Sequence, residues 1–518
     1  MPKFTLNDRE IEAKPGQTIL QAAQDAGIEI PHYCYHPDLP IDGNCRMCLV
    51  EVEKMPKLTT ACTTVVTEGM VARSNNDRVK ESVRGVLEFL LINHPVDCPV
   101  CDQAGECRLQ DYYMVYGLHT SEIPLEMKVR KRKVVDIGPM VVLDQERCIL
   151  CSRCVRFCEH VTGTGELQFF GRGDHTVIAT IDDRPLTNPY SGNVADICPV
   201  GALTSRDFRF KCRVWFLHSA DSVCAGCSTG CNSRIDHRDG TIFRMIPRRN
   251  VEVNKSWLCD EGRLSFYKIT EGERLALPMV KGRDGMHAPV DWEQAIRTVD
   301  MTLKEIKQAN GAGAILGFAS PSATNEALYL FKRYLQEQVG AAHFEFRLAD
   351  EDRAVTDRED EILRRRDKHP NTMGAINLGL MSAELGGVRG AIEAARAGRI
   401  KAGVVMYFKP LVERPEHAEA EARLAELVNA LEYSVVLAAH RADWQSAANV
   451  VLPVATWAEE EGTYTNYQGR IQHASKAVLP EGEVQPVWEV FAQLLYAGGD
   501  DVLWLTPDDV YASMMSET

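Results

Sequence analysis

The chain lacks several features that would place it in common functional classes. It has no excess of positive charge: 58 Lys and Arg face 73 Asp and Glu among 518 residues, for a formal net charge of -15. Because nucleic-acid binding needs a basic surface, nucleic acid is excluded as a partner. No apolar run approaches the ~18 residues of a membrane span, and the polar start MPKFTLNDRE is not that of a signal peptide. We therefore expect a cytoplasmic protein with no direct membrane span.

Cysteine is absent from the second half of the chain. All 17 cysteines lie between Cys34 and Cys259, which divides a cysteine-rich amino half from a conventional carboxyl half. Thiols stay reduced in the cytoplasm, so cysteines there indicate metal ligands or catalysts before disulfides. With 518 residues, 45% of them hydrophobic and 25% charged, the chain is long enough for several globular domains.

The first group of cysteines is predicted to hold a [2Fe–2S] cluster. Strands near residues 4–6 and 11, a helix over 18–26 ended by Gly27, and a strand over 49–52 predict a small sheet crossed by one helix. Plant-type ferredoxins follow this plan with a shorter first cysteine interval. Zinc, the alternative, usually takes two C-x2-C pairs. This group has one pair and two single cysteines, in the spacing C-x10-C-x2-C-x13-C: Cys34, Cys45, Cys48 and Cys62.

The second group includes a histidine. It follows a helix predicted over 79–92 and has the spacing H-x3-C-x2-C-x5-C: His94, Cys98, Cys101 and Cys107. Three cysteines cannot fill four metal corners, so His94 is predicted to be the fourth ligand of a [4Fe–4S] cluster. A neutral imidazole in place of a thiolate makes a cluster less negative, which tends to raise its reduction potential. Gly105 is expected to let the chain wrap closely around the cluster.

The third group begins as a bacterial ferredoxin run, C-x2-C-x2-C-x3-C, at Cys148, Cys151, Cys154 and Cys158. In two-cluster ferredoxins the fourth cysteine of each run serves the other cluster. The second run is predicted to end at Cys198-Pro199, but the same spacing counted backwards reaches three residues without thiols, Asn188, Ser191 and Val194. Cys198 is therefore predicted to complete the surviving [4Fe–4S] cluster, and Cys158 to be a spare buried thiol.

The fourth group has the spacing C-x2-C-x3-C-x27-C: Cys224, Cys227, Cys231 and Cys259. Alone it could hold zinc, but three cluster sites upstream favour a further [4Fe–4S] cluster. Cys212 belongs to no group. From about residue 275 the pattern predicts an α/β layered domain, with strands at 314–318, 402–407 and 434–437, a helix over 325–338 and another starting near Glu419. No G-x-G-x-x-G or P-loop occurs, so no dinucleotide or ATP site is predicted.

The four groups in this order resemble the large iron–sulfur subunit, called the G subunit, of bacterial NADH:quinone oxidoreductase (respiratory complex I). The resemblance covers most of the chain and rests on C-x10-C-R-M-C at 34–48, H-P-V-D-C-P-V-C-D-Q at 94–103, C-x2-C-x2-C at 148–154 and D-I-C-P-V-G-A-L at 196–203. It implies one [2Fe–2S] and two [4Fe–4S] clusters that relay electrons from a flavin-containing, NADH-oxidising partner toward quinone. It also implies a [4Fe–4S] cluster off the main path at the fourth group.

The carboxyl half is similar to molybdopterin oxidoreductases, through A-N-V-V-L-P at 448–453 and the segment that continues to Arg470. In active relatives a lysine follows the last cluster cysteine by two positions, and here that position is Glu261. No cysteine beyond Cys259 could hold a metal. The resemblance therefore implies a degenerate domain that binds no molybdopterin.

Taken together, the resemblance implies a multidomain α+β and α/β protein with five domains. They are a β-grasp [2Fe–2S] ferredoxin domain (1–78), a His(Cys)3 [4Fe–4S] domain (79–118), a ferredoxin-like [4Fe–4S] domain (138–217), a molybdopterin-oxidoreductase-type [4Fe–4S] domain (218–273) and a degenerate α/β domain (274–518). Partner subunits of complex I would oxidise NADH, reduce quinone and translocate protons. The chain would lie at the cytoplasmic face of the inner membrane and contain no catalytic residue of its own.

Three other interpretations compete with this one. The catalytic subunit of an NAD-linked formate dehydrogenase shares all four groups, but the missing metal-ligand cysteine and Glu261 argue against it. An iron-only hydrogenase would need further cysteine motifs after the ferredoxin module, and the bidirectional type usually ends before the fourth group. A zinc scaffold without redox function is disfavoured by motifs this specific.

Overall fold

The computed structural model describes residues 1–117, 123–348 and 355–517. The chain forms two compact units, residues 1–217 and 218–518. The predicted domain boundary at residue 118 lies outside the described residues. Within the described part of the chain, no helix is both long enough and apolar enough to cross a membrane.

Short strands and helices, joined by long loops, make up the first unit. Its strands are β1 (Lys3–Leu6), β2 (Arg9–Glu12), β3 (Leu49–Val52), β4 (Thr59–Thr60), β5 (Val71–Arg73), β6 (Val135–Asp136), β7 (Val141–Leu143), β8 (Leu167–Phe170), β9 (Val177–Thr180) and β10 (Leu203–Ser205). Its helices are α1 (Ile19–Asp25), α2 (Asp77–Leu91), α3 (Arg108–Tyr116), α4 (Arg153–His160) and α5 (Asn193–Asp196).

A five-stranded sheet in the order β2-β1-β5-β3-β4 forms the start of the first unit. Strands β1 and β5 are parallel, and the other neighbours are antiparallel. Helix α1 begins as expected, because the Thr18 hydroxyl accepts from the Gln21 backbone N–H at 3.3 Å. It ends before Gly27, whose φ of 71° is left-handed. A mixed sheet crossed by one helix confirms the predicted ferredoxin plan.

The second unit contains a larger α/β body. Its strands are β11 (His218–Val223), β12 (Asn232–Arg238), β13 (Thr241–Pro247), β14 (Met279–Lys281), β15 (His287–Pro289), β16 (Ile315–Phe318), β17 (His343–Glu345), β18 (Ala402–Tyr407), β19 (Tyr433–Ala438), β20 (Val450–Pro453), β21 (Gly462–Thr465) and β22 (Ile471–Ala474). Its helices are α6 (Asp260–Leu264), α7 (Trp292–Asn310), α8 (Asn325–Arg333), α9 (Thr372–Asn377), α10 (Val388–Arg396), α11 (Pro415–Ala430), α12 (Val487–Ala497) and α13 (Pro507–Glu517).

The main sheet of this unit has the order β15-β14-β20-β19-β18-β16-β17. Strands β17, β16, β18, β19 and β20 are parallel, and β14 and β15 add an antiparallel edge. Both faces are covered. In β18, Val404 and Met406 pack into the core under α7, α8 and α12, while Val405 and Tyr407 pack under α10 and α11. Strands buried on both faces explain the continuous apolar runs in the sequence.

Two helices of the second unit differ from their predicted bounds. Helix α11 begins at Pro415 rather than near Glu419, because proline fits the first turn, where its missing N–H has no helical partner. Helix α8 ends at Arg333 and continues as a π-helix, Tyr334–Val339, closed by the left-handed Gly340. The predicted strand over 402–407 is confirmed at both ends.

A buried carboxyl group, Glu460, makes the stability of the second unit depend on pH. Burial raises the pKa of Glu460 from 4.5 to about 8, and its carboxyl also lies near Glu326 and Glu459. The folded chain then keeps this proton up to about pH 8, whereas the unfolded chain releases it above pH 4.5. The contribution of Glu460 to the free energy of unfolding is therefore largest below pH 4.5 and falls as pH rises to 8.

The variant Glu460→Gln is expected to remove this dependence. Between pH 5 and 8 the native chain should lose roughly 2–5 kcal/mol more of its unfolding free energy than the Gln variant does, as measured from urea midpoints. The exposed variant Glu481→Gln is the matched control. If Glu460→Gln and Glu481→Gln show the same pH profile, the assignment is wrong.

Candidate iron–sulfur cluster sites

The four cysteines of the first group converge on loops beside the β1–β5 sheet. Cys34, Cys48 and Cys62 are buried, and Cys45 is half-buried. The Cys34 N–H donates to Cys45 Sγ at 3.4 Å. Hydrogen bonds also join the side chains of Cys34 to Cys45 and Cys62, and of Cys48 to Cys62. Those from Cys45 and Cys62 hold the pKa of Cys34 well below its ordinary value, and the one with Cys62 also lowers the pKa of Cys48.

The second group is built where α2 ends and α3 begins. Cys98 opens a short 3-10 turn, Cys101 closes it, and Cys107 is the residue before the first turn of α3. Burial, together with the charges of Cys101 and Cys98, raises the pKa of Cys107 to about 11. The three thiols are thus close enough to interact. Burial also lowers the pKa of His94 to about 4, which leaves its ring neutral at pH 7, the form that binds metals.

Hydrogen bonds fix both the ring and the backbone of His94. The Val96 N–H donates to His94 Nδ1 at 3.0 Å, and Lys128 Nζ donates to the carbonyl oxygens of His94 and Leu91, each at 2.8 Å. A ring nitrogen that accepts a hydrogen bond has no lone pair left for iron. Iron binding by this nitrogen of His94 therefore requires the bond from Val96 to open.

Two glycines of the first unit are required by close contacts. Gly105 is predicted to let the chain pass close to a cluster, and in the structure a Cβ there would lie 2.8 Å from the Trp215 ring and 2.9 Å from the Val214 side chain. A Cβ at Gly201 would lie 2.3 Å from Cys101 Sγ. Because Gly201 belongs to the loop that follows Cys198, the third group approaches the second group at this point.

The third group brings together two loop cysteines, one cysteine of α4 and one after α5. Burial, together with the charges of Cys151 and Cys198, raises the pKa of Cys148 to about 12. Cys154, in the first turn of α4, is affected in the same way by Cys148, Cys151 and Cys198. The four predicted ligands are thus close enough to interact electrostatically.

In the half of the ferredoxin module that lacks the expected cysteines, polar side chains form hydrogen bonds with one another and with the backbone. Asn188 Nδ2 donates to Glu166 Oε2 at 2.6 Å, and the Tyr190 N–H donates to Asn188 Oδ1 at 3.0 Å. Cys158 is fully buried nearby, and burial followed by the charge of Glu166 raises its pKa to about 12. The predicted burial of the Cys158 thiol is confirmed.

The fourth group lies in the second unit, on the β11–β12 connection and at the start of α6. All four cysteines are buried. Burial raises the pKa of Cys231 well above its ordinary value, and Cys224, Cys227 and Cys259 add to the shift. Gly262 passes close to two of the sulfurs, because a Cβ there would lie 2.9 Å from Cys224 Sγ and 3.2 Å from Cys259 Sγ.

Glu261, next to the fourth group, belongs to an ion-pair network. Its carboxylate accepts from Arg364 Nη2 at 3.1 Å and from Arg414 Nη2 at 3.0 Å. Both arginines also donate to Glu359 Oε1, at 2.6 and 2.9 Å, and Lys368 pairs with the same carboxylate. At the position where the sequence comparison with active molybdopterin oxidoreductases expects a lysine, the Glu261 carboxylate is thus paired with two guanidinium groups.

All 17 cysteines carry free thiols. Cys212 is half-buried, and its Sγ lies 3.5 Å from the Arg213 carbonyl oxygen. Among residues 1–117, 123–348 and 355–517, no three His, Cys, Asp or Glu side chains have the spacing that holds a single metal ion.

Sequence reasoning missed the cations that surround these sites. Arg147 donates to Asp97 through Nε at 3.0 Å and Nη2 at 2.7 Å, and Arg213 Nη2 donates to the Pro99 carbonyl at 2.7 Å. Arg153 and Arg156 are buried on α4. Their signal in the sequence was the run C-S-R-C-V-R-F-C, where charged residues stand between ligands that must be buried.

Five family models match the chain in consecutive segments. They are described as a 2Fe-2S iron-sulfur cluster binding domain (residues 2–77), the NADH-ubiquinone oxidoreductase-G iron-sulfur binding region (84–122), the NADH-quinone oxidoreductase subunit 3 ferredoxin-like domain (138–204), the NADH-ubiquinone oxidoreductase NDSU1/NuoG-like 4Fe-4S domain (217–267) and molybdopterin oxidoreductase (274–368 and 371–497).

Curated relatives carry consistent names. The G subunit of NADH-quinone oxidoreductase from Rickettsia bellii is 40% identical over 339 residues, 65% of this chain and 48% of that protein. The NADH-ubiquinone oxidoreductase 75 kDa subunit of Reclinomonas americana is 44% identical over 63% of this chain and 46% of its own. The mitochondrial iron-sulfur protein 1 of NADH dehydrogenase [ubiquinone] from Solanum tuberosum is 42% identical over 63% and 43%. The chain thus spans about half the length of the curated relatives it matches.

One solved structure that is similar to part of this chain belongs to an NAD+-reducing [NiFe]-hydrogenase in the H2-reduced state. It is 32% identical and covers 41% of this chain and 91% of its own, with a TM-score of 0.38.

The domain order and the cysteine groups define an iron–sulfur protein with [2Fe–2S]-type and [4Fe–4S]-type domains, followed by a domain of the molybdopterin-oxidoreductase type. The predicted fold class is confirmed. More particularly, the chain is homologous over about two thirds of its length to proteins named as the G subunit or the 75 kDa subunit of NADH:quinone oxidoreductase, as the resemblance implied.

Proposed function

We propose that this chain is the electron-transfer subunit of an NADH:quinone oxidoreductase. It receives electrons from a flavin-containing partner that oxidises NADH and passes them toward partner subunits that reduce quinone and translocate protons. It works on the cytoplasmic face of the inner membrane and holds no complete active site. The observation that carries the proposal is the convergence of the predicted thiol ligands within each group, in the domain order of the 75 kDa subunit family.

The donor sets support one [2Fe–2S] and three [4Fe–4S] clusters. Cys34, Cys45, Cys48 and Cys62 hold the first; His94, Cys98, Cys101 and Cys107 the second; Cys148, Cys151, Cys154 and Cys198 the third; and Cys224, Cys227, Cys231 and Cys259 the fourth. Buried thiols with no disulfide partners suit thiolate-held iron. When bound, the clusters supply one-electron carriers, and the chain's residues hold them apart from water at fixed positions.

Contacts in the first unit support an electron path from the first group to the third and then to the second. Asn44 Nδ2 lies 3.5 Å from the Leu150 carbonyl oxygen, which joins the Cys45 loop to the Cys151 loop. Gly201 packs against Cys101 Sγ. The third group therefore contacts both of the others, and Cys34, Cys107 and Cys151 share one buried cluster of side chains. The fourth group, in the second unit, is proposed to be a side cluster.

The carboxyl domain is proposed to bind no molybdopterin. The carboxylate at Glu261 is neutralised by Arg364 and Arg414 rather than left available to a cofactor. A single lysine substitution would not reverse this, since Glu359 also holds both arginines.

Metal analysis and low-temperature EPR of the reduced chain test the proposal. We expect about 14 iron atoms per chain, one binuclear signal and tetranuclear signals, from one [2Fe–2S] and three [4Fe–4S] clusters. Copurification should recover a flavin protein and membrane subunits. Stoichiometric zinc without iron would refute the proposal, and molybdenum or tungsten would favour a formate dehydrogenase.

A further inference from the structure

A single buried guanidinium group joins the first cluster site to the third. Arg153 lies in the first turn of α4, between Cys151 and Cys154, and is 7% exposed. Its Nη2 donates to the Tyr35 carbonyl oxygen at 2.6 Å, and its Nη1 donates to the Ile197 carbonyl oxygen at 3.1 Å. Tyr35 follows Cys34 and Ile197 precedes Cys198. One side chain thus bonds the backbone beside a ligand of each site.

A second buried guanidinium group lies one turn further along α4. Arg156 Nε donates to Ser152 Oγ at 2.9 Å, and its two Nη groups donate to the carbonyl oxygens of Cys34 and Pro40. Ser152 in turn donates to Asp42. Both arginines therefore bond carbonyl groups of the loop that carries the first ligand of the first site.

Arg153 pairs with no carboxylate within the part of the chain that the structure describes, and Arg156 is linked to the Asp42 carboxylate through Ser152. Arg147, at the other side of the third group, differs because Asp97 pairs with it at 2.7 Å. A buried charge without a counter-charge is costly. Cys151 and Cys198 lie near Arg153, and a cluster held by four thiolates is negative overall. The clusters are then the natural counter-charge of Arg153.

We propose that Arg153, supported by Arg156, is a positioning residue for electron transfer between the first and third clusters, which fixes their loops together and raises the reduction potential of both through its buried positive charge. The inference rests on the proposed function. One electron leaves the first cluster and enters the third, no bond forms or breaks, and no proton moves. Each cluster gains negative charge when reduced, so a cation between them stabilises the reduced form of either.

The alternative is that Arg153 only ties two loops together. Charge and geometry are separated by two substitutions. Arg153→Gln removes the charge. Arg153→Lys keeps the charge but replaces the planar guanidinium group, which bonds both carbonyl groups, with a single ammonium group. The exposed Arg84, which donates to the Tyr116 carbonyl at 3.2 Å, provides the matched control Arg84→Gln, because solvent screens its charge.

The experiment is an EPR-monitored redox titration of the full chain and the three variants. In Arg153→Gln the ratio of reduced to oxidised first and third clusters should fall about tenfold at a given ambient potential, equivalent to about 59 mV for a one-electron couple. The third cluster should shift at least as much as the first, since its thiolates lie nearest. Arg153→Lys and Arg84→Gln should titrate as the native chain does.

Two results would overturn the inference: native potentials in Arg153→Gln with both clusters present, or an equal shift in the Gln and Lys variants. If Arg153→Gln assembles no clusters, Arg156→Gln takes its place and should shift in the same direction; native potentials there overturn the inference as well. Absence of both EPR signals from the native chain would instead refute the proposed function, so the two failures are distinguishable.

Discussion

Replacing Cys154 with alanine is expected to remove the third cluster and to stop electron transfer through the chain. The Cys154 thiol is buried in the first turn of α4 and interacts with Cys148, Cys151 and Cys198. The third site contacts both the first and the second, and in the proposed path electrons pass through it. Iron content should fall by about four atoms per chain, one tetranuclear EPR signal should disappear, and NADH-dependent quinone reduction by the assembled complex should drop to background.

Cys158→Ala is the matched control for this prediction. Cys158 lies one turn further along the same helix and is fully buried, but the site it would have served is filled by Glu166 and Asn188. We expect the native iron content, all EPR signals and nearly native activity. Loss of a cluster in Cys158→Ala, with retention in Cys154→Ala, would show that the third ligand set is misassigned.

The parts of the fold that could be predicted from the sequence were set by local chemistry. Thr18 and Gly27 mark the ends of α1 because a hydroxyl cap and a left-handed glycine act within a few residues. The continuous apolar run at 402–407 predicted both ends of β18 correctly, since a strand buried on both faces has no polar positions. The start of α11 was missed because Pro415 looks like a helix breaker, although it favours the first turn.

The candidate sites were predictable as ligand groups but not as a spatial arrangement. Spacing assigns Cys148, Cys151 and Cys154 to one run, yet it gives no arrangement in space, and the approach of this group to the second depends on contacts such as that of Gly201 with Cys101. The bridging role of Arg153 joins residues 118 and 44 positions away. Such pairings are set by the tertiary fold, so only the presence of charge between buried ligands could have drawn attention to them.

A loss of stability without a loss of electron transfer is expected for Cys231→Ala in the second unit. The loop over 227–231 is tied to three distant segments: Ser228 Oγ donates to the Val355 carbonyl at 3.0 Å, the Tyr467 N–H donates to the Ser228 carbonyl at 2.8 Å, and Gln472 Nε2 donates to the Gly230 carbonyl at 2.9 Å. A cluster that fixes this loop therefore also fixes the segments around it. The binding free energy of a structural metal site is folding free energy.

Without the fourth cluster, the free energy of unfolding of the second unit should fall by more than about 4 kcal/mol, because loss of a metal site is among the most destabilising changes. Thermal unfolding followed by circular dichroism measures this loss, and Ser228→Ala, which removes one hydrogen bond and no ligand, should cost only about 1 kcal/mol. The EPR signals of the first three clusters and the rate of quinone reduction by surviving complex should stay native. A fall in that rate per intact complex would contradict the side-cluster assignment, because it would require electrons to pass through Cys224, Cys227, Cys231 and Cys259 during turnover.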